Sequence, residues 1–145
     1  MNPTARRNAR QYALQALYQW QLAGTPIKEI ELEFLVHHIR GKTDLDYFKE
    51  LIHAIPGNCE ELDNRMKPFL SRPIHELDPI ELAILRLGTY ELSNRLDVPY
   101  RVAINEALEL TKKFGSVEGF KFVNGILDQV ARTLRMDEIK AYKKS

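Results

Sequence analysis

Cysteine is almost absent from this chain. Cys59 stands alone among 145 residues, so no internal disulfide and no thiolate zinc cluster can form. Long apolar runs are also missing. No stretch approaches the roughly 20 apolar residues of a membrane span, and no signal-type apolar segment follows the N-terminal arginines. Charge of one sign is not in excess: 21 Lys and Arg face 20 Asp and Glu, for a net charge of +1. A nucleic-acid role would therefore have to rest on how charge is distributed. The seven glycines are scattered and build no phosphate-cradling loop. There is no low-complexity segment and no internal repeat. What is present is a 44% apolar composition, normal for a globular protein and too high for a disordered one. A cytoplasmic protein with no membrane association is expected.

Proline and glycine punctuate a series of helical patterns. Asn2-Pro3 reads as a cap and first-turn proline. Ala9, Tyr12, Ala13, Ala16, Leu17 and Trp20 then share one broad face. Gly24 closes this helix. Thr25-Pro26 repeats the cap signal for a second helix to about Arg40, which Gly41 breaks. Thr43 or Asp44 opens a third pattern through Ile55, and Pro56-Gly57 should kink or split it. The pattern resumes through Leu62, Met66 and Phe69. Ser71 to Leu77 reads as a short helix or connector. Asp78-Pro79-Ile80-Glu81 combines cap, first-turn proline and third-position glutamate. The helix from there to about Asn94 is apolar nearly all round, which marks it as central and buried. Two more helices follow, Tyr100 to Phe114 and one opening at Ser116 with the stripe Phe120, Val123, Ile126, Leu127, Val130 and Leu134. The expected fold is all-α, a compact bundle of about seven helices in one domain, 1–145. Its halves are expected at about 3–70 and 71–135, with a polar tail, 136–145, that frays.

No catalytic site stands out. His37 and His38 are adjacent, so on a helix they point about 100° apart and cannot share a metal as an i, i+4 pair could. His53 and His75 have no obvious partner. Cys59 is followed by Glu60 and Glu61, and neighbouring acids raise a thiol pKa. No enzyme activity, cofactor or metal site is expected.

The first helix is different. Arg6, Arg7 and Arg10 lie in a stretch with no acid before Glu29. Arg7, Gln11, Leu14 and Tyr18 share a narrow face. Arg10 flanks it on one side and Gln15 on the other, while Arg6 lies nearer the buried stripe. This forms a strip about 16 Å long. Guanidinium groups suit phosphates, amides suit base edges and tyrosine suits stacking. An ordinary solvated face would look the same in sequence. In the last helix Phe122 lies about 100° off the apolar stripe, beside Lys121. That position fits base stacking or packing against a partner. Glu91 stands in an otherwise apolar helix and needs an ion-pair partner or access to the surface.

Several segments together resemble the NusB family of bacterial transcription antitermination factors. They are Leu85-Arg86-Leu87-Gly88-Thr89-Tyr90-Glu91-Leu92, Asp97-Val98-Pro99-Tyr100-Arg101-Val102-Ala103-Ile104-Asn105-Glu106-Ala107, Lys112-Lys113-Phe114-Gly115 and Lys121-Phe122-Val123-Asn124-Gly125-Ile126-Leu127-Asp128. Ala5-Arg6-Arg7-Asn8-Ala9-Arg10, Ala16-Leu17-Tyr18-Gln19-Trp20 and Met66-Lys67-Pro68-Phe69-Leu70-Ser71-Arg72 resemble the family's first helix and mid-chain junction. The resemblance spans about residues 3 to 135.

It implies a non-enzymatic adaptor. Such a protein pairs with NusE, also a small-subunit ribosomal protein, and binds the boxA element of nascent ribosomal and leader RNA. It then helps to assemble an antitermination complex with NusA, NusG and RNA polymerase. The resemblance carries over Arg6, Arg7, Arg10, Gln15, Tyr18, Arg72, Lys121, Phe122 and Asn124 as RNA-facing residues. It carries over Glu76, Glu81, Arg86 and Glu91 as NusE contacts or their supports. Glu118 and Gly119 lie in a loop that varies within the family and receive no role. The first helix and the start of the last are expected to form one RNA surface.

A second reading comes from the similar helical domain at the front of ribosomal RNA cytosine methyltransferases, where it is a targeting module. At 145 residues an autonomous enzyme of that kind is not expected. A third is a free-standing protein-interaction or homodimer module.

Overall fold

A helix needs its first amides satisfied from outside, and Asn2 does this for the first one. Its side-chain oxygen accepts from the amides of Thr4 and Ala5 at 2.9 and 3.2 Å, ahead of α1, Pro3–Ala23. In the computed structural model, which describes residues 2–144, α1 ends at Gly24. There φ is +67° and the amide donates to the Trp20 carbonyl, a left-handed closure that glycine makes without strain.

The described residues form eight α-helices and no strand. They fall into two compact units that divide between Cys59 and Glu60. The junction expected near residue 70 lies inside the second unit.

The first unit holds α1, α2 (Ile27–Glu33) and α3 (Leu45–Gly57). Thr25-Pro26 does not repeat the cap of α1. Pro26 itself occupies the cap position, no side chain caps the helix, and the Pro26 carbonyl receives the amides of Glu29 and Ile30. From Phe34 to His38 the helix widens into a π-helical turn, closed by the Ile39 amide on the Phe34 carbonyl at 2.8 Å. The segment after it is pinned to α1. The Arg40 amide donates to the Tyr12 hydroxyl, the Asn8 side chain to the Lys42 carbonyl and the Asp44 amide to the Ala5 carbonyl. Asp44 then caps α3 through the Tyr47 amide. Pro56 sits in the last turn of α3, and the expected split follows: α3 stops at Gly57 and α4 (Cys59–Met66) begins two residues on.

The second unit holds nearly all of α4, then α5 (Pro79–Asn94), α6 (Tyr100–Phe114), α7 (Val117–Leu134) and α8 (Met136–Lys144). Asp78 caps α5 through the amides of Ile80 and Glu81. Helices α5, α6 and α7 pack on one another, and every residue of α5 from Leu82 to Leu92 is buried. Gly88 lets α7 approach closely, since a Cβ there would fall 2.8 Å from Leu127 Cδ1.

The tail does not fray. Arg135, only 5% exposed, donates to the carbonyls of Glu91, Leu92 and Arg95 at the end of α5, and pairs with Glu138. The other Glu138 oxygen accepts the Tyr100 amide at 2.8 Å, in the first turn of α6. Ile139 is buried, and the Tyr142 ring packs edge-on to Tyr100 beneath the Arg101 guanidinium. Composition alone hides this helix, because what holds it is two polar side chains serving other helices' ends.

The packing and polar contacts above make three stability predictions. Leu87→Ala should cost about 2–5 kcal/mol in a denaturant melt. Thr89→Val should leave stability unchanged or raise it, because the buried Thr89 hydroxyl makes no hydrogen bond and an unsatisfied group is a cost that valine removes. Glu138→Ala should cost about 1–3 kcal/mol through the lost cap and the lost partner of Arg135. The exposed Lys140→Ala should stay within about 0.5 kcal/mol. Equal melts for the two would show that α8 is not anchored as described.

Candidate nucleic-acid interface

The basic cluster at the start of α1 is divided by burial. Arg6 and Arg10 are 9% and 4% exposed, and their guanidinium carbons lie 4.1 and 5.6 Å from the centre of the Tyr47 ring. Two cations on one aromatic ring tie α1 to α3. Arg7 is exposed. Arg10, expected to flank the strip, lies on the buried arc with Ala13, Leu14 and Leu17. Gln11, Gln15 and Tyr18 are half-buried, and the Gln15 side chain donates to the Gln11 carbonyl. The accessible strip of α1 is thus Arg7, Gln11, Gln15 and Tyr18. Sequence reading missed Tyr47, because nothing local in α3 signals a contact made across helices.

In the second unit Arg72 is exposed and donates to the Glu76 carbonyl at 3.4 Å. Glu76 is exposed as well, and Glu81 is half-buried. Burial pushes the Glu81 carboxyl above its usual range, and Asp78 adds to this while Arg72 opposes it. Glu81 lies close over Gly119, where a Cβ would fall 2.5 Å from its Oε2. Gly119, given no role from sequence, is buried in the first turn of α7, where its amide donates to Ser116 Oγ.

Arg86 and Glu91 belong to the interior. Arg86 is buried and grips Asp63 of α4 with two parallel bonds of 2.9 and 2.8 Å, the planar fork geometry that suits guanidinium and carboxylate. Glu91 is fully buried.

On α7, Lys121 and Asn124 are exposed and Phe122 is half-buried. Residues two apart on a helix diverge by about 160°, so Phe122 and Asn124 serve opposite sides. Lys121 and Asn124 lie within about 60° of each other.

Three of the four histidines have acidic neighbours. His53 Nε2 lies 2.7 Å from Glu31, His38 Nε2 3.6 Å from Glu33 and His75 Nε2 3.9 Å from Glu76. Among the described residues no three His, Cys, Asp or Glu are placed to hold a metal ion, and no helix is long and apolar enough to cross a membrane.

Comparison with known proteins fits this architecture. The transcription antitermination protein NusB of Idiomarina loihiensis is 54% identical over 135 residues, covering 93% of this chain and 97% of the relative. A solved structure of antitermination factors NusB and NusE in complex with double-stranded RNA superposes with a TM-score of 0.81 at 28% identity, covering 91% of this chain and 99% of that one. A T. maritima NusB structure gives 0.78 at 28% identity, over 93% of this chain and 96% of that one. The family model described as the NusB family matches residues 7–132, and the chain belongs to the NusB family.

Proposed function

We propose that this chain is an RNA-binding transcription antitermination factor that acts in the cytoplasm and is not an enzyme. It pairs with NusE, binds boxA of nascent ribosomal and leader RNA, and supports assembly of a complex with NusA, NusG and RNA polymerase. The observation that carries this reading is the accessible strip of α1, in a chain of a family with a solved member held together with NusE and RNA. Arg7 supplies a phosphate contact, Gln15 an amide for base edges and Tyr18 a stacking face. Arg72, Lys121, Phe122 and Asn124 supply further contacts from the second unit. Arg6 and Arg10 act from beneath, fixing α1 against Tyr47 so that Arg7 is presented at a set angle. On the NusE side, Glu76 and Glu81 are accessible enough to make contacts. Arg86 and Glu91 are buried and hold α5 in place beneath them.

The test is a sizing-column run of protein, NusE and boxA RNA, followed by salt titrations of RNA binding. Arg7→Ala should weaken binding to any sequence and flatten the log–log salt slope by about 0.7 for a single-stranded contact. Phe122→Ala should lose about 1–3 kcal/mol of stacking with the slope unchanged. Arg10→Ala should differ from both by lowering the melting temperature, because it removes a buried cation from Tyr47. If the RNA fails to join the complex, the reading falls. If Arg7→Ala binds with unchanged affinity and slope, the α1 strip is only solvated.

A further inference from the structure

The end of α6 and the start of α7 enclose a groove of about 400 Å³, lined by Thr111, Lys112, Gly115, Val117, Phe120 and Lys121, with Ser116 at the turn. That volume lies in the range of small-molecule sites, about 300–1,000 Å³. Its walls are apolar and its only charged lining groups are two lysines. The Thr111 hydroxyl is used on the Ala107 carbonyl at 2.9 Å, and its methyl carbon lies 3.0 Å from where a Gly115 Cβ would be. Glycine therefore keeps the floor open, since any larger residue would also meet the Thr111 carbonyl at 3.0 Å. Ser116 Oγ is used by the Gly119 amide. Val117 is 75% exposed at the opening. The Lys112 ammonium lies 5.7 Å from the centre of the Phe120 ring. It also reaches Glu109 at 3.3 Å with both side chains exposed, an ion pair too weak to hold it from a stronger anion.

We propose that this groove takes one unpaired nucleotide of a bound RNA, with the base against Phe120 and the flanking phosphates on Lys112 and Lys121. The proposal rests on the RNA-binding reading above and adds a subsite to it. An aromatic wall under cationic rims is the combination that single-stranded nucleic acid selects, and no acid lines the groove to oppose a phosphate. Helical geometry adds an independent reason. Phe120 lies about 40° from Asn124 around α7, whereas Phe122 lies about 160° away. Phe120 is therefore the aromatic on the same side as Asn124, with Lys121 about 60° from Asn124 and about 100° from Phe120. Phe122 faces the other way and contacts a different part of the RNA or a partner.

Photo-crosslinking with a single-stranded RNA oligomer carrying 4-thiouridine, in the presence of NusE, tests this. The crosslinked peptide should fall within residues 111–121. Phe120→Leu, which keeps apolar bulk for folding, should weaken RNA binding about 5- to 100-fold with little change in salt slope. Lys112→Gln, an exposed change that leaves the fold alone, should reduce the slope by about 0.7. The groove proposal is overturned, with the RNA reading intact, if the unaltered protein binds RNA and Arg7→Ala weakens it while both groove variants bind normally and the crosslink maps elsewhere. It is likewise overturned if the groove variants lose NusE without RNA present, since the groove would then be a protein-docking site. Absence of RNA binding by the unaltered protein overturns both readings.

Discussion

A helix buried on every side cannot leave its terminal carbonyls to water, and α5 is such a helix. Its last turn ends against Arg135, whose guanidinium takes the carbonyls of Glu91, Leu92 and Arg95. The Glu91 and Arg95 carbonyls also accept the amides of Arg95 and Val98, whereas the Leu92 carbonyl relies on Arg135, and leaving a buried carbonyl unsatisfied costs about 1–3 kcal/mol of a stability of about 5–15 kcal/mol. The buried guanidinium in turn needs an anion, which Glu138 provides, and Glu138 spends its second oxygen on the start of α6. The end of α5, the start of α6 and the placement of α8 are thus parts of one chain of satisfied polar groups. At its N-terminal half α5 is held by the Arg86–Asp63 pair, which joins it to α4.

The fold class and most boundaries were readable from local chemistry. Asn2, Asp44, Asp78 and Ser116 cap their helices through their own side chains, and such caps are written in adjacent residues. Thr25-Pro26 carried the same signature and failed, because proline itself took the cap position and left threonine outside the helix. The helix at 136–144 was missed for the opposite reason. It shows little apolar periodicity, and its order comes from partners some 40 residues away in sequence.

The candidate site was less legible for a related physical reason. Sequence places a side chain on an arc of its helix but does not say whether a neighbouring helix covers that arc. Three arginines within five positions of α1 looked alike as cations. Tyr47 separates them, since a guanidinium over a ring sheds water that an exposed one keeps. The same holds for α5, where Arg86 and Glu91 share the residue types of a polar surface and the burial of a core.

This sorting bears on how a chain with a net charge of +1 can serve an anionic partner. Charges buried in pairs contribute little field outside the protein, and exposed pairs such as Arg132–Asp128 are largely screened. Exposed cations that can meet phosphate are spread over several elements, among them Arg7 at the start of α1, Arg72 ahead of α5, and Lys112, Lys113 and Lys121 around the turn between α6 and α7. Few such contacts give a shallow salt dependence. Discrimination must then come from groups without charge, the amides and aromatic faces beside those cations. An adaptor that reads a short RNA element together with a protein partner needs that balance, because strong charge alone would hold it on any transcript.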